Sequence, residues 1–362
     1  MSNRILQKSE PFLLLVFAML AAMLLFAMFV AVLGQSPLAV YQLLYEGGFG
    51  SAFAWQNTLL RASPLILTGL AVAIPAQAGM VMIGGEGVLA LGALLGAIAG
   101  LMLDGLPPLM VQSGILLAGM FAGACWSGIS GWLRNYRGVN ETISSLLLSY
   151  IGIALLNHFV EGPLKDPASL NKPSTRPLAD SYMIGNLPGM DVHYGLLIGV
   201  VCALVAWLLL KYTTVGFSLR IVGGNPRAAM MAGLRVNRWI VLAAAAGGAA
   251  AGLAGAIEVA AVQGAASASV ISGYGYAGIL VAFLARQNPL AVIPVAILIG
   301  GINAAGGMLQ RRLEMPDASV LVLQGIVFVL VLGSDTLRGR LFSKMEVPAG
   351  NVAMPVLTEG AK

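Results

Sequence analysis

The sequence predicts an all-α polytopic membrane protein with about ten transmembrane helices, and three observations support this fold class. Of the 362 residues, 58% are hydrophobic and only 10% are charged, whereas soluble domains contain about 25% charged residues. The apolar residues fall into long blocks, and a helix needs about 20 such residues to cross a bilayer. The basic residues lie between the blocks, as membrane orientation requires. This composition argues against a soluble enzyme or a nucleic-acid-binding protein.

Ten apolar blocks are candidates for membrane spans. The first contains 23 residues, which exceeds the 7–15 apolar residues of a signal peptide, so we interpret it as a span and keep the signal peptide as the alternative. The predicted spans are Pro11–Leu33, Thr58–Ala78, Ile83–Leu101, Met110–Leu133, Glu141–Val160, Tyr194–Leu210, Trp239–Val262, Ile271–Ala285, Pro289–Leu309 and Ser319–Leu332. The third is rich in glycine and the eighth is short. The regions 79–101 and 264–285 are therefore either full spans or broken, re-entrant ones.

The distribution of positive charge predicts the orientation. With the N-terminus inside, the inside segments contain 14 of the 20 Lys and Arg residues and the outside segments contain 6. Positive charge accumulates on the cytoplasmic side, so both termini are expected there. The predicted organisation is a transmembrane domain over residues 1–345, with an outer loop 161–193 and a cytoplasmic loop 211–238, followed by a cytoplasmic tail 346–362.

A faint internal repeat relates the two halves of the chain. Six identities between the segments that begin at Pro108 and Pro289 share an offset of about 181 residues. This offset pairs span 2 with span 7 and span 4 with span 9, which run in opposite directions. Inverted repeats are common in transporters and place a pathway at their interface. Chance similarity within so biased a composition is the alternative.

The sequence contains no pattern typical of an enzyme. A phosphate-binding loop with Lys-Ser or Lys-Thr after a glycine-rich stretch is absent, so the chain is not expected to hydrolyse nucleotide itself. His158 and His193 are far apart and lack neighbouring metal ligands. Cys125 and Cys202 lie inside apolar blocks and fit the role of small apolar fillers. We therefore expect neither a bound cofactor nor a metal ion.

The cytoplasmic segment 223–233 predicts a short capped helix. Asn225 suits the N-cap, and Pro226 suits the first helical position. Residues 227–232 form about two turns, and Gly233 stops them in a left-handed conformation. Such a helix between two spans is expected to dock against another protein. A solvated connector is the alternative.

Three sequence blocks resemble the ABC-transporter permeases of the simple-sugar and nucleoside importer family. The run 214–233 resembles the coupling segment of these permeases. Ile83–Gly87 resembles their Asn-Ile-Gly-x-Glu-Gly block, with Met82 where Asn is usual, and 138–151 resembles a block of the nucleoside branch, with Ser149 in place of Asn. The resemblance covers about residues 55–340. The long loop 161–193 resembles the larger of the two permeases in nucleoside importers.

This resemblance implies a permease subunit with the type II-like importer fold in a bacterial inner membrane. It implies transport of nucleosides, a second and different permease, an extracytoplasmic binding protein or lipoprotein, and a separate ATPase that binds the ATP. The residues matched to ATPase coupling are Asn225, Pro226, Arg227, Ala228, Ala229, Ala232 and Gly233. The alternatives are a permease for a simple sugar or a vitamin, a stand-alone secondary transporter, and a membrane enzyme.

Polar residues within the spans are candidates for the pathway, because ionisable groups in a membrane tend to face a cavity or a partner. These candidates are Glu86, Asn140, Glu141, Ser145, Ser149, Glu258, Tyr274 and Tyr276. Each has a structural alternative. Glu86 suits the backbone N–H groups of a broken helix, Asn140 and Glu141 suit the start of span 5, the serines suit helix packing, and Glu258 suits a bond to a neighbouring span. The tyrosines suit the membrane interface as well as stacking on a nucleobase.

Overall fold

The computed structural model describes residues 2–337, with side-chain surroundings for residues 13–334. In this range the chain is helical and its only β-type pairings are two isolated bridges. The α-helices are α1 Ser2–Val32, α2 Pro37–Phe49, α3 Ala52–Ala76, α4 Gly85–Met102, α5 Pro108–Arg137, α6 Glu141–Glu161, α7 Gly195–Tyr212, α8 Thr214–Gly224, α9 Pro226–Met231, α10 Val236–Glu258, α11 Tyr274–Leu284, α12 Pro289–Leu313 and α13 Ser319–Leu337. The predicted tail 346–362 lies outside the described residues.

Eight of these helical segments are long and apolar enough to cross a membrane. The two shorter apolar helical segments, Ala268–Leu284 and Ser319–Ser334, coincide with the eighth and tenth predicted spans. The chain is therefore a multi-pass membrane protein of the predicted class. Several helices extend beyond the predicted spans, and α3 begins at Ala52 rather than Thr58, because Ser51 caps it through a bond from the Ala54 N–H. Arg61, whose charge was counted with the outside segments, lies inside this helix.

The helices pack in an arrangement that follows the predicted inverted repeat. In the first half α4 packs against α5 and α6, and in the second half α11 packs against α12 and α13. Across the halves, α10 packs against α4 and α5, whereas α3 packs against α11 and α12. Exchanging α3 with α10, α4 with α11, α5 with α12 and α6 with α13 therefore reproduces the same packed pairs.

Glycine permits a close contact between α5 and α10. A Cβ atom at Gly123 would overlap the carbonyl oxygen of Gly248, and one at Gly252 would overlap that of Gly119. Small residues at a helix interface let two backbones approach within van der Waals contact, which drives association inside a membrane. The contact between α5 and α10 thus joins the two halves rigidly.

Of the two regions that the sequence left as either full or broken spans, the first contains an uninterrupted helix and the second is interrupted. Residues 80–83 connect α3 to the 18-residue α4 and are not helical, whereas the chain between α10 and α11 contains a π-helical turn and a single 3₁₀ turn. With 11 residues, α11 is about 16 Å long and shorter than the hydrocarbon core of about 30 Å. The N-termini of α4 and α11 meet, because Gly275 packs directly against the backbone of Gly85 and Glu86.

Candidate functional site

Glu86 lies where the N-termini of α4 and α11 meet. Its side chain is completely buried. One carboxylate oxygen accepts a hydrogen bond from the Gly273 N–H at 2.7 Å, and the other accepts one from the Gly275 N–H at 2.6 Å. A negative charge at a helix N-terminus also interacts favourably with the helix dipole. The geometry corresponds to the structural alternative raised from the sequence, in which Glu86 holds the N–H groups of a broken helix.

Hydroxyl groups of α6 bind the non-helical segment before α4 and the first turn of α4. Ser145 Oγ accepts a hydrogen bond from the Ile83 N–H at 3.1 Å, and Ser149 Oγ accepts one from the Gly87 N–H at 2.8 Å. Thr142 Oγ1 donates to the Val81 carbonyl at 2.9 Å. Thr142 was missed by the sequence reasoning, although residues 142, 145 and 149 recur at helical spacing. These side chains bond backbone groups of the non-helical segment and of the first turn of α4, which have no partner within a helix.

Asn140 and Glu141 form the start of α6. Asn140 Oδ1 accepts hydrogen bonds from the N–H groups of Thr142 and Ile143, which confirms the predicted N-cap. Glu141 forms an ion pair with Arg134 at 3.0 Å, and the same Arg134 nitrogen donates to the Gly79 carbonyl at 2.9 Å. This is the one ion pair among the described side chains. It fixes the ends of α5 and α6 against the chain that leads into α4.

Glu258 lies at the end of α10 within a polar cluster that includes Arg61. Its buried carboxylate lies 3.5 Å from Gln263 Nε2 and within electrostatic range of Arg61. The Arg61 guanidinium also approaches the hydroxyl of Tyr274. The sequence reasoning missed Arg61 as a site residue. The signal was present, because a charged residue inside an apolar block faces a cavity or a partner.

Tyr274 and Tyr276 line two adjoining cavities between α11 and α13. The first cavity is about 250 Å³, and its polar lining comes from α3, α12 and the start of α13 as well as from α11. The second is about 390 Å³ and is largely apolar. Both are lined by Gln324, whose amide donates a hydrogen bond to Asn303. The sequence reasoning missed both amides, although two uncharged polar side chains within apolar blocks were a usable signal.

The segment 225–233 has the predicted shape. Asn225 Oδ1 accepts hydrogen bonds from the Arg227 and Ala228 N–H groups, each at 3.1 Å, and Gly233 has a φ of 80°. One assignment within it was wrong. Ala229 is completely buried within its own chain, so it is not available to a partner. The exposed apolar side chains are instead those of Met230 and Met231.

The buried face of α9 connects the segment to the membrane part of the fold. Ala229 belongs to a hydrophobic cluster with Met80, Met82 and residues of α8 and α10. Gly223 at the end of α8 packs directly on the backbone of residues 77–79. The helix α9 therefore packs against α8 and α10 and shares one hydrophobic cluster with the non-helical segment that α6 bonds through its hydroxyl groups.

The described helices define a class of multi-pass membrane protein with a short capped helix, α9, and polar cavities between its helices. Among the described residues, no group of three His, Cys, Asp or Glu side chains is placed to hold a metal ion. The model of the family described as "Branched-chain amino acid transport system / permease component" matches residues 54–332. The chain belongs to this family of ABC transporter permeases.

Three relatives illustrate the breadth of the family. The chain is 32% identical over 331 residues to the glucose ABC transporter permease protein TsgB13 of Haloferax volcanii, covering 88% of this chain and 87% of the relative. It is 30% identical over 337 residues to the guanosine permease NupP of Bacillus subtilis, covering 88% and 93%. It is 25% identical over 284 residues to the guanosine permease NupQ of the same organism, covering 76% and 89%.

Proposed function

We propose that this permease imports nucleosides and that the solute passes along the cavities between α11 and α13. The two tyrosines in the lining support this, because a nucleobase stacks on an aromatic ring with about 1–3 kcal/mol. The amides of Asn303 and Gln324 offer both donors and acceptors to the edge of a base. Similarity to a guanosine permease supports the same substrate class.

The proposed coupling to ATP hydrolysis rests on one observation: Ala229 of α9 belongs to the same buried hydrophobic cluster as Met80 and Met82, in the chain that leads into α4. A separate ATPase binds the exposed face of α9, which presents Arg227, Met230, Met231, Ala232 and Gly233. Motion of α9 passes through Ala229 and Met80 to the segment 80–84, and from there to α6. Asn225, Pro226 and Ala228 maintain the helix that makes this contact.

The proposed assembly contains a second, different permease and an extracytoplasmic binding protein or lipoprotein. The chain resembles NupP over more of its length than NupQ, which supports its assignment as the larger member of such a pair. Both termini and α9 lie on the cytoplasmic side of a bacterial inner membrane. The excess of Lys and Arg in the corresponding segments supports this orientation. Residues 1–345 form the permease domain and 346–362 a cytoplasmic tail, with the loop 161–193 outside.

The test is uptake of labelled guanosine into cells that lack the chain and carry either the wild type or a variant. Tyr276→Ala and Gln324→Leu are expected to reduce uptake at least about tenfold, which corresponds to 1.4 kcal/mol of lost interaction. Tyr45→Ala, at an exposed position of α2, is the matched control and should transport normally. Normal guanosine uptake by both pathway variants would contradict the proposed route.

Glucose is the second candidate substrate, because a relative of 32% identity carries that name. The same cells should be supplied with labelled glucose in parallel. Uptake of glucose without guanosine would replace the substrate while leaving the proposed route and coupling intact.

A further inference from the structure

An almost entirely apolar groove of about 640 Å³ runs along α7 and α10. Its lining includes the small side chains of Ala243, Ala246 and Ala250, together with Val201 and Val205. The volume lies within the range of about 300–1,000 Å³ that is typical of ligand sites. Because charged side chains are absent from the lining, the groove suits a hydrocarbon chain.

Positive charge surrounds the end of the groove that lies next to α8. Arg220 donates a hydrogen bond to the carbonyl of Leu210, which lines the groove. Lys211 follows Leu210 in the sequence, with its Nζ 4.8 Å from the ring centroid of Trp207. Arg238 precedes Trp239, another lining residue. From residue 192 to residue 257 the sequence contains five Lys or Arg and no Asp or Glu.

We propose that this groove binds one acyl chain of an anionic phospholipid, whose phosphate lies against Lys211 and Arg220. The apolar lining matches the acyl chain, and the unbalanced positive charge at one end matches the head group. Anionic lipids are concentrated in the cytoplasmic leaflet, and basic pockets between transmembrane helices bind such head groups. The leaflet assignment rests on the orientation proposed above, whereas binding by the purified protein does not depend on it.

The test counts lipids that remain bound to the detergent-purified chain in native mass spectrometry, with phosphatidylglycerol or phosphatidylcholine added. Ala246→Phe fills the groove and should remove the most tightly held lipid of either kind. Lys211→Gln with Arg220→Gln should lower the preference for phosphatidylglycerol roughly thirtyfold, since each cation near the surface contributes about fivefold. The controls are Ala31→Phe, on an exposed face of α1, and Arg227→Gln, on α9.

A second readout places the lipid without a large substitution. Phosphatidylglycerol with brominated acyl chains should quench the fluorescence of Trp239, and Trp239→Phe should remove that part of the quenching. Retention of the tightly bound lipid by Ala246→Phe, or an unchanged head-group preference in the double variant, would overturn the proposal. A pathway variant that loses guanosine transport but binds lipid normally would bear on the proposed function and not on the lipid site.

Discussion

The chain before α4 (residues 80–84) and the chain before α11 (residues 259–273) occupy equivalent places in the repeat, yet they are held differently. The segment before α4 is bonded along its length by hydroxyl groups of α6, and the backbone of Gly87 touches that of Ser149. The segment before α11 is bonded instead to the long loop 161–193, because the Thr175 and Leu178 N–H groups donate to its Ala266 and Gly264 carbonyls, and its end at Gly273 donates to the carboxylate of Glu86. The partner helix α13 stands away from α11 and leaves cavities of about 250 and 390 Å³ between them.

This difference separates a fixed half from an open half of the same repeat. In the first half the hydroxyl groups of Ser145 and Ser149 are hydrogen-bonded to backbone N–H groups, so they are not available to bind a solute. In the second half Tyr276 and Gln324 line empty volume. The comparison supports the proposed route through the cavities of the second half, with the first half as its support.

The largest expected effect is that of Glu86→Leu, which removes the carboxylate that bonds the start of α4 to the start of α11. Two buried N–H groups, those of Gly273 and Gly275, would lose their acceptor, at about 1–3 kcal/mol each. The free energy of unfolding in detergent should fall by about 2 to 6 kcal/mol. Glu86→Gln keeps one carbonyl acceptor and should lose less. A leucine variant as stable as the wild type would show that the carboxylate is not a structural link.

A pair of identical substitutions compares the halves directly. A Cβ atom at Gly87 would overlap the Ser149 carbonyl, whereas one at Gly325 of α13 has nothing within 4 Å. Gly87→Ala should therefore lower the free energy of unfolding by about 1–3 kcal/mol through overpacking. Gly325→Ala should be neutral or stabilise the protein by up to about 1 kcal/mol, since alanine favours the helix. Equal effects in unfolding measurements would remove the distinction between the halves.

A smaller effect is expected from the hydroxyl groups of α6. Ser145→Ala and Ser149→Ala each leave a backbone N–H without its acceptor, at a cost of about 1 kcal/mol. The matched control is Ser113→Ala, because Ser113 is exposed and bonds only within its own helix. Thermal unfolding should rank both variants below the control. The contrary result, in which all three unfold alike, would mean that water replaces the hydroxyl groups.

The smallest expected effect lies at His193, at the end of the long loop that connects the halves. The side chain is buried, both ring nitrogens lack a hydrogen-bond partner in the described structure, and burial lowers the pKa of the imidazole below its ordinary value of 6.5. The unfolded chain therefore binds a proton more readily than the folded chain as the pH falls below about 6.5, and stability is lost there.

The thermal midpoint of the wild type, measured between pH 8 and pH 5.5, should therefore fall more than that of His193→Phe. Parallel curves for the two proteins would show that the connection does not exclude water from this side chain.

The membrane spans were predictable because hydropathy is a local property of the sequence. The start of α3 at Ala52 was missed because it depends on the capping by Ser51, outside the apolar block that begins at Thr58. The capped shape of α9 was also local and was confirmed. Which face of α9 points inward was not local, because Ala229 is buried in a cluster with residues from distant parts of the chain, such as Met80.

The hydrogen-bond donors to Glu86 could not be predicted from the neighbouring sequence either, because they lie far away along the chain. The Gly273 N–H is 187 residues away from the carboxylate that it binds. The sequence could indicate that Glu86 needed donors in a membrane, but only the packing of α4 against α11 identifies them. The cavities between α11 and α13 likewise depend on how far two helices stand apart.

The glycine contact between α5 and α10 has a consequence for biosynthesis. Gly119 and Gly123 form a small-xxx-small pattern, as do Gly248 and Gly252, and the two patterns face each other. Because 125 residues separate Gly123 from Gly248, the ribosome completes α5 roughly 6 to 25 s before its partner. During that interval α5 lies in the lipid with an uncovered surface that favours helix association. A nascent chain that stalls before α10 is therefore a target for mispairing with other membrane helices, and rapid completion of the second half protects the first.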